Sequence, residues 1–451
     1  MSKLRVAVTW QVIFLQLVIY TAGVNIYASP RDFPDYSIAR WRGFKKAAYS
    51  ITFDDNYRFQ VLYAAPVLNQ HNYKATFFLV TNRVGQGWAP GWDTVNMLAS
   101  QGHEIASHSK NHPNFITLSQ HPEWTDSMVH EFRDSRDTIN SRVPSQSCET
   151  FAWPGGYVNQ VAGNASKDYY MACRGSVNGF EGPLPFDFYD INSQFIYHDT
   201  QLQVVDGYID TIFSRKGWLV ERWHGFQYGN DTNGYEPVPI TIFINHINHV
   251  AQFEDSLWIT TLDSVVKYIR ERQSSVVSLV DSSGSTILLS LSNDLQNIPY
   301  NYNVPLSLKL RMYGKMQGVT QVIQAGNVIP FIVTHENGCN YMNFDAIPNI
   351  GLIELHLFPV GLPKGVDLQD HAICYPNPFQ LSSDLLFDIT EPQNVEILLF
   401  SPAGLKVQTY KRYCLKGLNS LRIDGNLLFS GTYTCLIRTS RRTMTLKMIR
   451  K

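Results

Sequence analysis

The sequence lacks an excess of positive or negative charge, which argues against nucleic-acid binding. The chain has 37 Lys and Arg residues against 38 Asp and Glu residues, a formal net charge of −1. A protein that binds nucleic acid neutralises phosphates with a net basic surface, so we expect no nucleic-acid partner. The sequence also contains neither a G-x-S-x-G nucleophile elbow nor a phosphate-binding loop. Serine-hydrolase and nucleotide chemistry therefore have no basis in it.

Cysteine is scarce as well. The six cysteines, at positions 148, 173, 339, 374, 414 and 435, are widely spread and form no CxxC motif, which argues against a disulfide scaffold. If the protein is exported, Cys414 and Cys435 are the favoured pair for a bridge because both lie in the short final block. The sequence leaves their bridged and free states open. We expect the other cysteines to be small buried hydrophobic residues.

Long apolar runs are limited to one, near the N-terminus. Lys3 and Arg5 precede an apolar stretch over residues 6–24, and Ala28 offers a small residue at a cleavage point. This order is typical of a secretory signal peptide, which we predict over residues 1–28. The alternative is a membrane anchor, since the run is nearly long enough to cross a bilayer. No second run of this length follows, so we expect a mature protein that is soluble outside the cytoplasm and has no stable membrane span.

What the sequence does contain, from residue 47 to residue 273, is an alternation of strand and helix patterns. We predict strands at Ala47–Phe53, Lys74–Val80, His103–Ser107, Glu149–Trp153, Tyr170–Arg174 and Trp218–Trp223, and helices at Arg58–His71, Trp92–Gln101, Glu123–Arg142 and Asp263–Gln273. Such alternation indicates the α/β class, with a largely parallel sheet that is open or closed into a barrel. Helical periodicity then disappears. We predict two small all-β, sandwich-like domains over residues 276–360 and 372–451, separated by a linker.

Two adjacent carboxylates, Asp54 and Asp55, follow the strand that ends at Phe53. The carboxyl end of a parallel strand is where barrel active sites are built. Neighbouring strand residues point to opposite sides, so one carboxylate can bind a metal while the other accepts a proton. The competing interpretation is a solvated turn, because Asp-Asp-Asn is also favourable turn chemistry.

Two histidines four positions apart, His108 and His112, directly follow the strand that ends at Ser107. Histidines at this spacing can converge on one metal. Pro113 disfavours the helical region at His112, which favours a turn at the strand end over a regular helix. Taken alone, the pair could also be two surface histidines. Together with one aspartate it makes a three-ligand set with an open position, as in catalytic zinc sites.

A third histidine, His224, stands directly after the predicted strand Trp218–Trp223. A histidine that the metal does not need can act as a general acid and protonate a leaving amine or alcohol. The alternatives are His246 and His249, which fall in a predicted helix, where we expect a solvated or capping role. We therefore favour His224 as the acid.

The aspartate and histidine motifs resemble those of a known family. Thr52-Phe53-Asp54-Asp55 and His108-Ser109-x-x-His112-Pro113-Asn114 are similar to the first two motifs of the polysaccharide deacetylases, the NodB-homology family of carbohydrate esterases. The resemblance covers about residues 45–272, and Phe151-Ala152-Trp153-Pro154-Gly155-Gly156 occupies the place of the third motif.

This resemblance implies a fold, an activity and a set of roles. The fold would be a deformed (β/α) barrel over residues 35–275, and the activity the removal of N- or O-linked acetyl groups from an acetylated polysaccharide or oligosaccharide. The implied roles are Asp54 as catalytic base, Asp55, His108 and His112 as ligands of Zn²⁺ or another divalent metal, and His224 as general acid. Pro154, Gly155, Gly156 and Arg174 would form an oxyanion and substrate loop, with a backbone N–H near Gly155 facing the oxyanion.

Two positions depart from the family pattern. Asn56 stands where the first motif usually ends in Gly, and Phe151 or Ala152 stands where the third motif commonly has the Arg that orients the base. Arg174, from another strand, could supply that charge. The departures also admit an alternative function, a non-catalytic surface protein that binds glycans or acts as an adhesin on a decayed barrel.

The C-terminal block resembles a second kind of module. Its motifs, which are similar in order and spacing to those of a C-terminal sorting domain of the type IX secretion system, are Tyr375-Pro376-Asn377-Pro378-Phe379, Phe400-Ser-Pro-Ala-Gly404, Gly417-x-Asn419, Ile423-Asp424-Gly425-Asn426-Leu427 and Ser430-Gly431-Thr432-Tyr433. The resemblance implies type IX secretion machinery as a partner, a Gram-negative bacterium, and a secreted or cell-surface location. The alternative is a generic immunoglobulin-like β-domain.

Overall fold

The computed structural model describes residues 35–121, 123–283, 286–297, 300–357, 372–414 and 416–451. The predicted signal peptide and the predicted linker lie outside these ranges. Within them, no helix combines the length and the apolar character that crossing a bilayer requires.

Eight parallel strands form one curled, half-open sheet, which confirms the α/β class and the deformed barrel expected for the first half of the chain. In chain order they are β1 (Ala47–Asp54), β2 (Thr76–Leu79), β3 (Glu104–Ser107), β4 (Thr150–Ala152), β5 (Ala172–Arg174), β6 (Gln194–Phe195), β7 (Trp218–Trp223) and β8 (Leu257–Ile259). The order across the sheet is β5-β4-β3-β2-β1-β7-β6, and β8 lies beside the first half of β1.

The central strand β1 is buried along its whole length. Tyr49, Ile51 and Phe53 point to one face, where helices cover them, and Ser50 and Thr52 point to the other. Because a parallel sheet is covered on both faces, both sets of alternating side chains on its strands are buried. Because side chains alternate along a strand, the choice of odd or even position decides which face a residue serves.

Nine α-helices accompany the sheet in the described part of the chain. They are Ala65–Gln70, Trp92–Ser100, Phe115–Leu118, Trp124–Val129, Ser135–Arg142, Gln160–Ser166, Leu202–Arg215, Ile240–Val250 and Leu262–Ser274. A π-turn at His130–Asp134 joins two of them, so the long helix predicted over Glu123–Arg142 contains a wide turn. Leu262–Ser274 buries Val265, Val266 and Ile269, as the periodicity of the sequence predicts.

A block of antiparallel strands follows the last helix and packs on the barrel. Its strands are Val276–Asp281, Thr286–Ser292, Leu306–Met312, Gln321–Gln324, Asn327–Ile329, Phe331–Glu336, Cys339–Ala346 and Ile353–His356, arranged in two sheets. Tyr36–Ile38, which precedes the barrel in the chain, adds an edge strand to one of these sheets. Apolar side chains from both parts, among them Trp218 and Leu308, form one cluster.

The C-terminal block has its own core between a three-stranded and a four-stranded antiparallel sheet. The strands are Ala372–Tyr375, Ser382–Ile389, Gln393–Phe400, Lys406–Cys414, Gly417–Asp424, Gly431–Arg438 and Thr443–Arg450.

Cys414 and Cys435, whose bridged and free states the sequence left open, are both free. Cys414 pairs with Gln393 and Cys435 with Leu399, near opposite ends of the strand between them. Six residues of strand separate the two by roughly 20 Å, far beyond the reach of a disulfide.

Candidate metal and substrate site

The predicted site residues converge at one edge of the curled sheet. Asp54 ends β1, His108 follows β3 and His224 follows β7. These strands lie close together in the sheet order β3-β2-β1-β7, and the carboxyl ends of parallel strands share one edge. Asp55 and His112 complete a group of five, Asp54, Asp55, His108, His112 and His224, which we call the site cluster.

Left-handed backbone turns set the directions of these side chains. Asp55 (φ 72°) and Asn56 (φ 59°) turn the chain away from β1, and Ser109 (φ 69°) and His112 (φ 64°) do the same after β3. Asn and Asp tolerate this region better than most residues with a side chain, which accounts for Asn56 where the family usually has Gly. The turn after β3 also agrees with the expectation that the two histidines lie outside a regular helix.

Three potential metal ligands meet in this turn region. One donor atom each from Asp55, His108 and His112 lies within 4.8 Å of the other two, and His112 Nε2 is 3.6 Å from Asp55 Oδ1. His108 Nδ1 is 2.8 Å from the carbonyl of Ala152. An Nδ1–H that donates to this carbonyl leaves Nε2 free for a metal. Two imidazoles and a carboxylate are a donor set that fits zinc.

A second group of contacts holds in place the turn that runs from His108 to His112. Glu131, on the π-turn between two helices, accepts hydrogen bonds from the backbone N–H groups of Lys110 (2.9 Å) and Asn111 (2.8 Å). Ser109 Oγ accepts one from the N–H of His112 at 2.8 Å. The loop between the two histidines is therefore anchored from both sides.

The buried carboxylate of Asp54 is paired with a buried arginine. Arg174 Nη2 lies 2.7 Å from Asp54 Oδ1 and 2.5 Å from Oδ2, and His224 Nε2 is 3.4 Å from Oδ2. Gln60 Nε2 donates to the backbone carbonyls of both Asp54 (2.6 Å) and His224 (2.8 Å), which ties β1 to β7. Arg174, on β5, thus stands where the sequence suggested that a charge from another strand could compensate for the third motif.

Burial and charge shift the pKa values of this group in opposite directions. Burial alone would raise the pKa of Asp54, but Arg174, His108 and His224 hold it well below its usual range. Burial lowers the pKa of His108 to about 4, although the charge of Asp54 opposes the shift. Burial likewise lowers the pKa of His224 to about 4, again against Asp54 and with Arg222 adding to the effect. The carboxylate is therefore ionised and the imidazoles are neutral at pH 7.

A cavity of about 500 Å³ opens over the site cluster. Its lining combines acidic, basic and aromatic side chains from several loops: Asp54, Asp55, Tyr57, Arg83, His112, Trp153, Gly155, Tyr157, Ser176, Phe195, Tyr197, Arg222, His224 and Tyr235. Polar groups that converge in an otherwise aromatic pocket are typical of small-molecule sites.

Only one of the three loop residues Pro154, Gly155 and Gly156 lines this cavity. Gly155 belongs to the lining, whereas Pro154 is buried and Gly156 packs on Ser176. A Cβ on Gly156, whose φ is 72°, would come within 1.8 Å of Ser176 Oγ, so only glycine fits there. A second glycine in close contact with a neighbouring segment is Gly225, directly after His224. Its N–H donates to the carbonyl of Tyr235 at 2.8 Å.

Sequence reasoning missed several residues of the cavity. Arg83 Nη1 is 2.7 Å from Asp55 Oδ1, and Arg222 extends from β7 into the lining beside His224. Arg222 precedes His224 by two positions on one strand, and residues two apart share a face. That periodicity could have identified it, whereas the position of Arg83 in a loop gave no such signal.

The expectation for His246 was wrong. Its helix, Ile240–Val250, packs on the other face of the sheet, and His246 is 0% exposed rather than solvated. His246 Nδ1 is 2.7 Å from Asp206 Oδ1 and Nε2 is 3.1 Å from Glu221 Oε1. Tyr49 donates to Glu221 Oε2 at 2.6 Å. We call Tyr49, Asp206, Glu221 and His246 the helix-side cluster.

Comparison with known proteins identifies the class of this domain. A family model described as polysaccharide deacetylase matches residues 42–173, a segment that contains both the aspartate pair and the histidine pair. The chain therefore contains a polysaccharide-deacetylase-like domain. One curated relative, a gellan lyase from a Bacillus species, is 22% identical over 349 residues, or 72% of this chain. The match spans 13% of the length of that relative.

Two solved structures are also similar to parts of this chain. The Streptococcus pyogenes deacetylase PplD in complex with acetate is 22% identical with a TM-score of 0.30, and the match covers 33% of this chain and 63% of that one. The Xyl-CE4 domain of a multidomain xylanase from the hindgut metagenome of Trinervitermes trinervoides is 14% identical with a TM-score of 0.33. That match covers 48% of this chain and 88% of the other.

Proposed function

We propose that the protein is a metal-dependent hydrolase that removes acetyl groups from a carbohydrate polymer. One observation carries the proposal: the donor atoms of Asp55, His108 and His112 lie within 4.8 Å of one another, and Asp55 and His112 line the same cavity as Asp54 and His224. A potential three-ligand metal site beside an ionised carboxylate and an imidazole is what a metal-assisted hydrolysis requires. The match to the polysaccharide deacetylase model supports the same reaction class.

Asp55, His108 and His112 would hold the cation, with Zn²⁺ the ion that best suits their donor types. When bound, such an ion polarises a carbonyl and lowers the pKa of water. Arg83 pairs with Asp55 at 2.7 Å and would share that carboxylate with the ion. The cavity reaches the ligands from the solvent side through Asp55 and His112.

Asp54 would act as the general base. Arg174 holds its carboxylate in place and keeps it ionised, so it is ready to accept a proton from the attacking water. The attack forms a carbon–oxygen bond to the acetyl carbon, and the bond from that carbon to the sugar nitrogen or oxygen then breaks. Asp54 Oδ2 lies 3.4 Å from His224 Nε2. A relay from Asp54 to His224 can therefore deliver the proton to the departing amine or alcohol.

The rest of the cavity suits a sugar substrate. Gly155 belongs to the cavity wall, and its backbone N–H would stabilise the negative oxygen of the tetrahedral intermediate. Tyr57, Tyr157 and Tyr235 add aromatic faces with polar tips at the rim, and such side chains contact both apolar and hydroxyl-bearing parts of a ligand.

We also propose that the protein is exported, to the medium or to the cell surface of a Gram-negative bacterium, with the C-terminal block addressed to type IX secretion machinery. The motifs of residues 375–433 support this proposal. So does the separate core of that block, because a module with its own core can be removed without unfolding the barrel. Deletion of residues 372–451 in a type IX-competent host should retain the protein inside the cell, and unchanged export would contradict the proposal.

The experiment that tests the activity is acetate release from a panel of acetylated glycans by the zinc-loaded protein. N-acetylglucosamine polymers, peptidoglycan and O-acetylated xylan are the substrates to begin with. We expect acetate from at least one of them, and none after chelation. Tight glycan binding without acetate release by protein that contains its metal would instead support a non-catalytic glycan-binding protein.

A further inference from the structure

A buried arginine at the site has no carboxylate partner in the part of the chain that the structure describes. Arg222 is 8% exposed and lines the cavity. Its Nη2 makes one long contact, 3.4 Å, to the backbone carbonyl of Ser176. Its Nε has no hydrogen-bond partner among the described residues. The guanidinium lies over the ring of Phe195, 4.5 Å from its centroid.

The other arginines and aspartates in and directly beneath the cavity are already paired with one another. Arg83 pairs with Asp55, and Arg174 pairs with Asp54 through both carboxylate oxygens. In the described ranges, no carboxylate lies within ion-pair distance of Arg222, which is the third cation. A divalent metal on Asp55, His108 and His112 would add to this positive excess. An unpaired charge that is removed from water costs free energy, so such a site favours a ligand that supplies the missing anion.

Arg222 stays charged while it is buried. Burial and the neighbouring Arg174 lower its pKa to about 10, which leaves the guanidinium protonated at neutral pH. On β7, Arg222 shares a face with His224, one step further into the sheet from the reaction centre. A ligand group that reached Arg222 would therefore lie close to the acyl group that Asp54 and His224 act on.

We propose that Arg222 makes this cavity selective for an anionic substrate, one that carries a carboxylate close to the scissile acyl bond. The planar fork of arginine matches a carboxylate in a bidentate arrangement and binds it more strongly than a neutral acceptor. The carboxylate has two chemical sources, an acidic sugar next to the acylated unit or the acyl group itself. This inference deepens the proposed hydrolase function and rests on it.

A matched arginine elsewhere in the barrel provides the control. Arg270, on the helix Leu262–Ser274, lies over the ring of Phe188 at 4.3 Å and contacts the backbone carbonyl of Met171 through Nη2 at 2.7 Å. Its Nε also lacks a hydrogen-bond partner within the described ranges. Arg270 does not line the cavity. Arg270→Gln therefore removes a similarly packed arginine without touching the substrate.

The test compares pairs of substrates that differ in one charge. An acetylated oligomer of a uronic acid is measured against its methyl ester, and a neutral oligosaccharide with a succinyl half-ester is measured against the same oligosaccharide with an acetyl group. We expect the anionic member of at least one pair to have a kcat/KM about 10- to 100-fold higher. The pair that shows the preference identifies which source supplies the carboxylate.

Variants then assign the preference to its residue. Arg222→Gln should reduce the ratio to about one, Arg222→Lys should restore part of it, and Arg270→Gln should keep it. If the uronate pair shows the preference, binding of the deacetylated uronate oligomer to zinc-free protein, measured by calorimetry, should weaken by a similar factor in Arg222→Gln and stay unchanged in Arg270→Gln. Equal kcat/KM for both members of both pairs in the wild-type protein, or a preference that survives in Arg222→Gln, would overturn the inference.

The inference and the proposed hydrolase fail in different ways. If neutral and anionic substrates are hydrolysed with equal kcat/KM, the hydrolase stands and the role of Arg222 is refuted. If no substrate is hydrolysed but the uronate oligomer binds in an Arg222-dependent manner, the hydrolase is refuted and anion recognition stands.

Discussion

The site cluster and the helix-side cluster lie on opposite faces of the same two strands, and their difference is instructive. On β7, Glu221 points to the helices while its neighbour Arg222 points to the cavity. Both clusters combine buried carboxylates with histidines. In the helix-side cluster the charges face one another: His246 lies between Asp206 and Glu221. In the site cluster, Asp55, His112 and His224 also face a cavity.

Backbone conformation separates the two clusters as well. Asp55, Asn56, Ser109 and His112 adopt left-handed conformations at the site cluster, whereas the helix-side residues lie on strands and regular helices. Strained conformations persist where the surroundings hold them, and they gather at functional sites. The same residue types are therefore enclosed and paired with one another on one face of the sheet, whereas on the other face several of them adopt left-handed conformations and line a cavity.

The largest expected effect on activity comes from a change at Asp54, in the site cluster. We expect Asp54→Asn to lower kcat/KM by about 10²- to 10⁴-fold, because the general base is lost, while an oxygen remains for Arg174 to contact. Zinc content should stay at that of the wild-type protein because the proposed ligands are Asp55, His108 and His112. The measurement is acetate release together with metal analysis. An active Asp54→Asn protein would remove Asp54 from the proposed mechanism, and loss of zinc would place it among the ligands.

The equivalent change on the other face should affect folding alone. Glu221→Gln removes a buried charge that accepts from Tyr49 and Trp223 and faces His246, which should cost about 3–5 kcal/mol of unfolding free energy. The kcat/KM at a temperature where the variant is folded should match that of the wild-type protein. Glu336→Gln, at a half-exposed pair with Lys309, is the control, with an expected cost below about 1 kcal/mol. A folded Glu221→Gln protein without activity would make this cluster part of the chemistry.

Dependence on pH sharpens the contrast further. Burial alone would lower the pKa of His246, but Glu221 and Asp206 raise it to about 9. Because this folded-state pKa exceeds the value of about 6.5 in an unfolded chain, protonated His246 stabilises the fold fully below about pH 6.5. The contribution, on the order of 3 kcal/mol, is lost as the pH rises through about 9.

The measurement is denaturant unfolding of the wild-type protein and of His246→Gln at about pH 6 and about pH 9.5. The gap in stability between the two proteins should be largest at the lower pH and should narrow at the higher one. A gap that does not change with pH would mean that His246 is not the titrating group.

The smallest effect concerns the strained turn. Asn56 has a φ of 59° and donates from Nδ2 to the carbonyl of Pro90 at 3.1 Å. Both Asn56→Ala and Asn56→Gly lose this hydrogen bond. Alanine keeps a Cβ, which is unfavourable in the left-handed region, whereas glycine has none. We expect the alanine variant to be less stable than the glycine variant by about 1 kcal/mol, measured as a difference in thermal midpoint. Equal midpoints would show that the backbone at Asn56 is not strained.

Much of this site could be predicted from the sequence because its residues stand next to strand ends. Asp54 and His224 follow directly from where apolar strand patterns stop, and parallel strands bring their ends to one edge. The pair at His108 and His112 adds a spacing that few other chemistries use. Local sequence patterns were therefore sufficient to predict that these side chains lie close together.

The features that the sequence left unpredicted depend on long-range partners. The burial of His246 requires Asp206 and Glu221, which lie on different elements, and a helical pattern alone does not reveal what covers a face. The separation of Cys414 from Cys435 depends on the register of the strand between them. The unpaired state of Arg222 could be seen only after Asp54 and Asp55 had been assigned to other arginines.

The most direct test of this account is a crystal of the zinc-loaded protein measured at the zinc absorption edge. We predict one anomalous peak per chain, within coordination distance of Asp55, His108 and His112, and its disappearance in His108→Ala. A peak elsewhere, or no peak in protein that is folded and saturated with zinc, would contradict the proposal that the aspartate pair and the histidine pair share one cation.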